Sequence, residues 1–447
     1  MRILLVNKFF YRKGGSETYL FALAEGLRAM GHEVAFFSMN HPKNYQTEWN
    51  RYFVSEKDYN GDISVFRKVH EALTIAYSPE AKHRFETLLE NFRPNVIHLN
   101  LVHRQITFSI LDAPYLKKHH VPVVYTAHDY SLICPAYTML NGKGEICDAC
   151  IHGNFTNVIK NVCTKDSKVK SILSFFEAEY LKYHNSYDKI DQIIACSQFM
   201  KEKLDEAGYA DRTICMQNFL TDEQISTGRK VVNTHKFEDE LTGVHPYFLY
   251  FGRLSKEKGI ATLIKAFIIA IGLGDSYSHS GMSEMGILPE NWDLHIVGNG
   301  PELAAIERQL ILCGPAAAKR IKLLGHKTGE DLQREVGNAR FSVLPSEWRE
   351  NMPYSGLESL AAGVPAIGSN IGGIPEFIEN KKTGLLFDAG SIEDLTKTLC
   401  NAAKINKEEY IAMQINCKEY IKNKCSQDKY IQNIIRIYNK LGRSYEK

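Results

Sequence analysis

Short apolar runs ending in polar or glycine-rich residues recur along the chain and alternate with longer segments of helical periodicity. Ile3–Asn7, Val34–Met39, Asn95–Asn100, Pro122–His128, Gln192–Ser197 and Thr213–Asn218 are too short for helices and apolar on both faces, the pattern of buried parallel strands. An amphipathic helix follows the first run and extends to about Met30. The same grammar restarts at His245, with strands predicted at the start of His245–Gly259, at the start of Asp293–Glu302, within Arg320–His326, and at Arg340–Leu344, Val364–Gly368 and Gly384–Phe387. Between 353 and 362, Pro353 suits a helix start, and Gly363 followed by Pro365 supplies the stop. Helices fill the remainder to Lys440. Periodicity is weak over 40–90, and a Gly/Ser-rich stretch at 271–291 reads as a surface insertion. The predicted class is therefore α/β: a domain over 1–220, a linker over 221–245, a second domain over 246–425 and a terminal helix over 426–447.

Length agrees with that division, since 447 residues exceed one ordinary core. With 54 basic against 52 acidic residues there is no global field to attract nucleic acid, so any phosphate binding must be local. The apolar start Met1–Val6 is too short for a signal peptide or membrane span, and no later run reaches eighteen apolar residues. A cytoplasmic protein is expected, with any membrane contact peripheral and at the inner face.

Candidate chemistry sits where predicted strands end. Glu350 stands just before the 353–362 helix and Glu358 one and a half turns into it, so both carboxylates can border one ligand at the helix start. The amides of Met352, Pro353's neighbours Tyr354 and Ser355, and Gly356 would face that ligand together with the positive end of the helix dipole. A capping acid and a solvated surface Glu are the alternative. Arg253 and Lys258 are five apart across the loop of Gly252-Arg-Leu-Ser-Lys-Glu-Lys-Gly259, within reach of one diphosphate. In the first half, Gly14 and Gly15 form a candidate phosphate loop, with Ser16 near the helix N-cap. His98, Asn100, His103 and His128 lie at or near strand exits that point to one crevice.

The Glu350/Glu358 pair, the run Gly363-Val-Pro365, the Gly372-Gly-Ile-Pro-Glu376 segment, the Arg253/Lys258 loop and His128-Asp129-Tyr130 together resemble retaining glycosyltransferases of family 4, which have the GT-B fold. The resemblance spans nearly the whole chain and is strongest over 246–390. It implies two Rossmann-like domains facing an interdomain cleft, the first on the acceptor side and the second holding a nucleoside diphosphate sugar. It also implies that Arg253, Lys258 and the helix amides bind the diphosphate, Glu358 the ribose and Glu350 the sugar hydroxyls. His128 would contact the donor sugar, Gly14 and Gly15 the donor phosphates and acceptor, and Gly298, Asn299 and His326 the base. The expected partners are a UDP- or GDP-sugar and a glycan or lipid-linked saccharide. The expected reaction retains configuration and needs no cofactor, as no Asp-x-Asp motif stands at a strand end. Glu350-Asn-Met-Pro353 departs from the commoner Glu-Gly-Phe-Gly, which leaves the donor sugar open. A GT-B epimerase, hydrolase or non-catalytic nucleotide-sugar-binding protein remains an alternative. A phosphorylase would need a Schiff-base lysine that no motif marks.

Two features fall outside that scheme. Cys134, Cys147, Cys150 and Cys163 lie within thirty residues, with a Cys-x-x-Cys pair at the centre; tetrahedral structural zinc and four unrelated thiols are the two readings. Residues 156–190 are rich in lysine, including Lys160, Lys165, Lys168, Lys170, Lys182 and Lys189, and read either as a membrane-surface helix or as a solvated face.

Overall fold

The computed structural model describes residues 1–56, 74–225, 245–273 and 287–445. Most of the expected linker, part of the 40–90 stretch and most of the Gly/Ser-rich insertion lie outside the described residues. The chain divides into two units, Met1–Asn218 with Gln427–Lys447, and Phe219–Ser426. Each is built on a six-stranded sheet whose strands all pair in parallel.

In the first unit the strands are β1 (Arg2–Val6), β2 (Glu33–Phe37), β3 (Val96–Leu99), β4 (Val123–Ala127), β5 (Gln192–Ala195) and β6 (Thr213–Cys215), in the order β2-β1-β3-β4-β5-β6. Their apolar runs are covered on both faces, and β3 and β4 are buried along their whole length. The helix Gly15–Ala29 buries Tyr19, Leu20, Leu23 and Leu27 against the sheet. The chain reverses its direction of strand addition between β1 and β3, so the loops after these strands open a crevice at their carboxyl ends.

The final helix, Gln427–Tyr445, belongs to this unit although more than two hundred residues of the second unit precede it. A buried polar chain fixes it there. His98 on β3 is fully buried, its Nδ1 lies 2.5 Å from the Tyr438 hydroxyl and its Nε2 lies 2.6 Å from the Thr126 hydroxyl. The Tyr19 hydroxyl joins Thr126 at 3.1 Å and Tyr430 at 2.7 Å. Burial lowers the His98 pKa to about 3, so the ring is neutral, with one donor and one acceptor nitrogen matched to two hydroxyls. His98 is thus a satisfied core residue and does not line the crevice.

The second unit has β7 (Tyr247–Phe251), β8 (Asp293–Val297), β9 (Ile321–Leu323), β10 (Phe341–Leu344), β11 (Ala366–Ser369) and β12 (Gly384–Phe387), in the order β12-β11-β10-β7-β8-β9. Strands are added on one side of β7 through β9, and then on its other side from β10. The reversal point lies between β7 and β10. Beyond β10 the helix runs Tyr354–Ala361, one residue shorter at each end than expected. Pro353 has the helical φ of −66°, but its ψ of 129° is extended, which makes it the N-cap instead of the first helical residue.

Candidate active site

The loops that leave β7 and β10 flank the reversal point of the second sheet, where open parallel sheets bind ligands. They bring together residues distant in sequence. Lys258, at the end of a short 3-10 turn after β7, places its Nζ 2.5 Å from Oε1 of Glu350. The same carboxylate oxygen accepts a hydrogen bond of 2.8 Å from the Ser346 hydroxyl. Glu350 is only 5% exposed, and the Lys258 ammonium also lies over the Trp348 ring, 5.5 Å from its centroid. A buried carboxylate is stable only when paired and hydrogen-bonded, and both requirements are met here by residues of the two flanking loops.

Two glycines permit this approach. Gly259 has φ +68°, and a Cβ there would lie 1.7 Å from the Pro345 carbonyl oxygen. Gly372 has φ +58°, and its Cβ would lie 2.4 Å from the Glu350 carbonyl oxygen; the next amide, Gly373 N–H, donates to that oxygen at 2.7 Å. Side chains at either position would push apart the loops that bring Lys258 to Glu350.

The other carboxylate, Glu358, lies on the Tyr354–Ala361 helix and accepts a long 3.5 Å hydrogen bond from Gln224 Nε2. Part of Glu358 reaches solvent, yet burial pushes its pKa up to about 7, against the opposing effect of Gln224. Near neutrality it is therefore poised between acid and carboxylate.

The remaining residues predicted for this unit are distributed around the same strand exits. Arg253 is exposed in the β7 loop. Met352 is buried and Ser355 half-buried at the helix start. The Gly356 N–H is already used by the Pro353 carbonyl at 3.1 Å, so it is a helical amide and not a ligand-facing one. Gly298 and Asn299 knit neighbouring loops: Gly298 N–H donates to Gly325 O at 2.8 Å, and Asn299 O accepts from Leu254 N–H at 3.0 Å. His326 is exposed beyond β9. Ser346, Trp348 and Gln224 escaped the sequence reading, Gln224 because it falls where a linker was expected.

In the first unit, Asn100 and His128 meet at the ends of β3 and β4. His128 Nε2 lies 2.8 Å from Asn100 Oδ1, while Asn100 Nδ2 donates to the Val6 carbonyl, so His128 carries its proton on Nε2 in this contact. Tyr19 packs edge-on against the imidazole at 4.8 Å, and burial lowers the His128 pKa to about 3. His103 is likewise held neutral by burial, with its Nε2 3.0 Å from the Tyr187 hydroxyl.

Gly14 is the N-cap of the Gly15–Ala29 helix, and both Gly14 and Gly15 are exposed. Ser16, expected near the cap, instead donates to Glu17 at 3.0 Å, as does Asn7 from the end of β1. Lys8 and Arg104, which the sequence reading also missed, add positive charge at these exits. Burial lowers the Lys8 pKa, with Asp129 opposing that effect, and Arg104 pairs with buried Glu177 at 3.1 Å.

The four cysteines of the 134–163 segment are free thiols around one small cavity. Among the described residues, no group of three or more His, Cys, Asp and Glu side chains is placed so that it could hold a metal ion without rearrangement. In the lysine-rich segment, Lys182 donates to Gly153 O and Lys189 pairs with Asp112, so part of that positive charge is neutralised or tied down. No helix among the described residues is long and apolar enough to cross a membrane.

Comparison with known proteins accounts for both units. Residues 13–223 match the family described as Glycosyltransferase Family 4, and residues 232–423 match Glycosyl transferases group 1. Among curated proteins, an uncharacterized 42.6 kDa protein in the cps region of Klebsiella pneumoniae is 22% identical over 84% of this chain and 87% of its own length. The amylovoran biosynthesis glycosyltransferase AmsK of Erwinia amylovora is 25% identical over 65% of this chain and 69% of its own. Among solved structures, Anabaena HepE in complex with UDP and glucose has a TM-score of 0.64 at 16% identity, covering 98% of this chain and 100% of that one, a likeness of fold. Two parallel six-stranded α/β units with these matches place the chain among the family 4, group 1 glycosyltransferases of GT-B fold.

Proposed function

We propose that the protein transfers a glycosyl group, with retention of configuration, from a UDP- or GDP-sugar to a hydroxyl of a glycan or lipid-linked saccharide in polysaccharide assembly. The observation that carries this reading is the Lys258–Glu350 contact at the reversal point of the second sheet, beside a helix start. It joins a cation suited to a diphosphate to a carboxylate suited to sugar hydroxyls. HepE, whose fold is similar, is described in complex with UDP and glucose, and AmsK as an amylovoran biosynthesis glycosyltransferase, which supports the substrate class.

In this reading the bond from the sugar's anomeric carbon to the diphosphate oxygen breaks, and its electron pair stays on that oxygen. Lys258, Arg253 and the amides of the first helical turn stabilise the new charge more in the transition state than in the ground state. The acceptor oxygen bonds to the anomeric carbon on the face the diphosphate leaves, and its proton passes to the departing phosphate. Glu350 orients sugar hydroxyls, Glu358 holds ribose hydroxyls and His128 contacts the donor sugar. With these cations in place the transfer calls for no divalent metal, so adding or withdrawing Mg²⁺ should leave its rate unchanged.

Peripheral membrane contact would suit a lipid-linked acceptor. On the helix Lys168–Tyr183, the exposed residues Val169, Ile172, Phe176 and Tyr183 fall on one face, with Lys165, Lys168 and Lys170 beside them. Sedimentation with anionic but not zwitterionic vesicles would support that contact, and no sedimentation with either would remove it.

A thermal-shift panel of UDP- and GDP-sugars, followed by anomeric analysis of the product, tests the main reading. Stabilisation by one donor and a product of unchanged anomeric configuration are expected. An inverted product would overturn retention, and isomerised donor without transfer would favour an epimerase.

A further inference from the structure

The segment from Cys134 to Cys163 has little regular structure to hold it. It contains one antiparallel bridge, Leu140 to Ile146, and one short helix, Thr156–Lys160. Its backbone is nonetheless held in left-handed conformations at residues that disfavour them, with φ of 59° at Tyr137, 52° at Met139 and 47° at the β-branched Val162. Such positions persist only where surrounding contacts over-determine them. Buried Met139, Ile151 and Val158 anchor parts of the segment, but no disulfide holds it, since all four cysteines are free.

What the segment does have is convergence of sulphur. Cys134, Cys147, Cys150 and Cys163 line one cavity of about 10 Å³, room for a single atom-sized species. Cys147-Asp-Ala-Cys150 supplies the close pair of a tetrahedral set, and Cys134 and Cys163 approach from either side.

We propose that these four cysteines bind one zinc ion as a closed structural site that clamps the 134–163 loop. On binding, four sulphur–zinc bonds form and the thiol protons leave to solvent. Side-chain rotation must first draw the sulphurs to about 2.3 Å from a common centre. Four protein ligands leave no open coordination position, so the ion takes no part in glycosyl transfer. Its consequence is positional: Arg104 Nη2 donates to the Pro135 carbonyl at 3.1 Å, which ties the loop to the charged Arg104–Glu177 pair beyond the exit of β3.

The test is elemental analysis of the full chain purified without chelator, combined with thiol alkylation and mass spectrometry. About one zinc per chain is expected, with these four cysteines protected until a chelator is added. Substitution by Co²⁺ should give thiolate charge-transfer absorption, and the Cys147→Ser/Cys150→Ser double variant should lose metal and become protease-sensitive within 134–163. Cys196→Ser should keep its metal. Only trace metal in the wild-type protein together with rapid alkylation of all four thiols would overturn the proposal, as would disulfides among them under reducing conditions. Both wild-type readouts stand even if the double variant does not fold.

Discussion

Lys258 Nζ and Glu350 Oε1 stand 2.5 Å apart although 92 residues separate them in sequence. The contact couples the two halves of the proposed donor chemistry. Replacing Lys258 with Met removes a cation from the leaving group and leaves a buried carboxylate with Ser346 alone. Both Lys258→Met and Glu350→Gln should lower kcat by about 100-fold or more. Nucleoside diphosphate affinity should fall in Lys258→Met and stay near wild type in Glu350→Gln. Calorimetry beside steady-state rates separates the two effects, and full activity in Glu350→Gln would remove the glutamate from the mechanism.

Glu358 gives a pH signature. Its pKa is raised to about 7 by burial, so the folded chain holds a proton that the unfolded chain has released above the ordinary carboxylate range. That proton favours the fold at low pH, and the advantage disappears as pH rises through about 7. Binding of ribose hydroxyls by the carboxylate requires the opposite form. Nucleoside diphosphate affinity should therefore weaken below pH 7, by up to about tenfold per unit. The Glu358→Gln variant should bind weakly at every pH, without that slope.

His128 should leave no such mark. With a pKa near 3 it is neutral throughout the physiological range and acts as a hydrogen-bonding group. His128→Ala should lower kcat by a similar factor from pH 5.5 to 8.5, and a lost acidic limb in the pH–rate profile of that variant would show that the histidine titrates in the working enzyme.

Gly259 tests the backbone argument. A Cβ 1.7 Å from the Pro345 carbonyl cannot be accommodated without moving a loop, and φ +68° adds strain. Gly259→Ala should weaken nucleotide binding and lower stability by about 1 kcal/mol or more. Gly442→Ala, with open space around its added methyl group, is the control.

Tyr438 anchors the last helix through His98. Tyr438→Phe leaves a buried imidazole nitrogen without its hydroxyl, at a cost of about 1–3 kcal/mol. Chemical denaturation should show a shifted transition for the first unit, while nucleotide affinity is unchanged.

The sequence by itself determined the α/β class, nearly every strand, and the loops on which Lys258, Glu350 and His128 reside. Those features are local: a buried parallel strand must be apolar along its length, and a helix after it must begin with particular residues. The family resemblance also rested on short linear motifs of this kind. Tertiary structure decided what local pattern cannot encode. His98 and His128 occupy similar strand-end positions, yet only pairing with Tyr438, from the far end of the chain, makes His98 a core residue. Gly298 resembles a ligand-facing turn in sequence but uses its amide to hold another loop. Gln224 gains its meaning only beside Glu358. Strand order places the loops after β7 and β10 together, so Lys258 meets Glu350 through sheet topology, because hydrogen bonding between strands is indifferent to their separation along the chain.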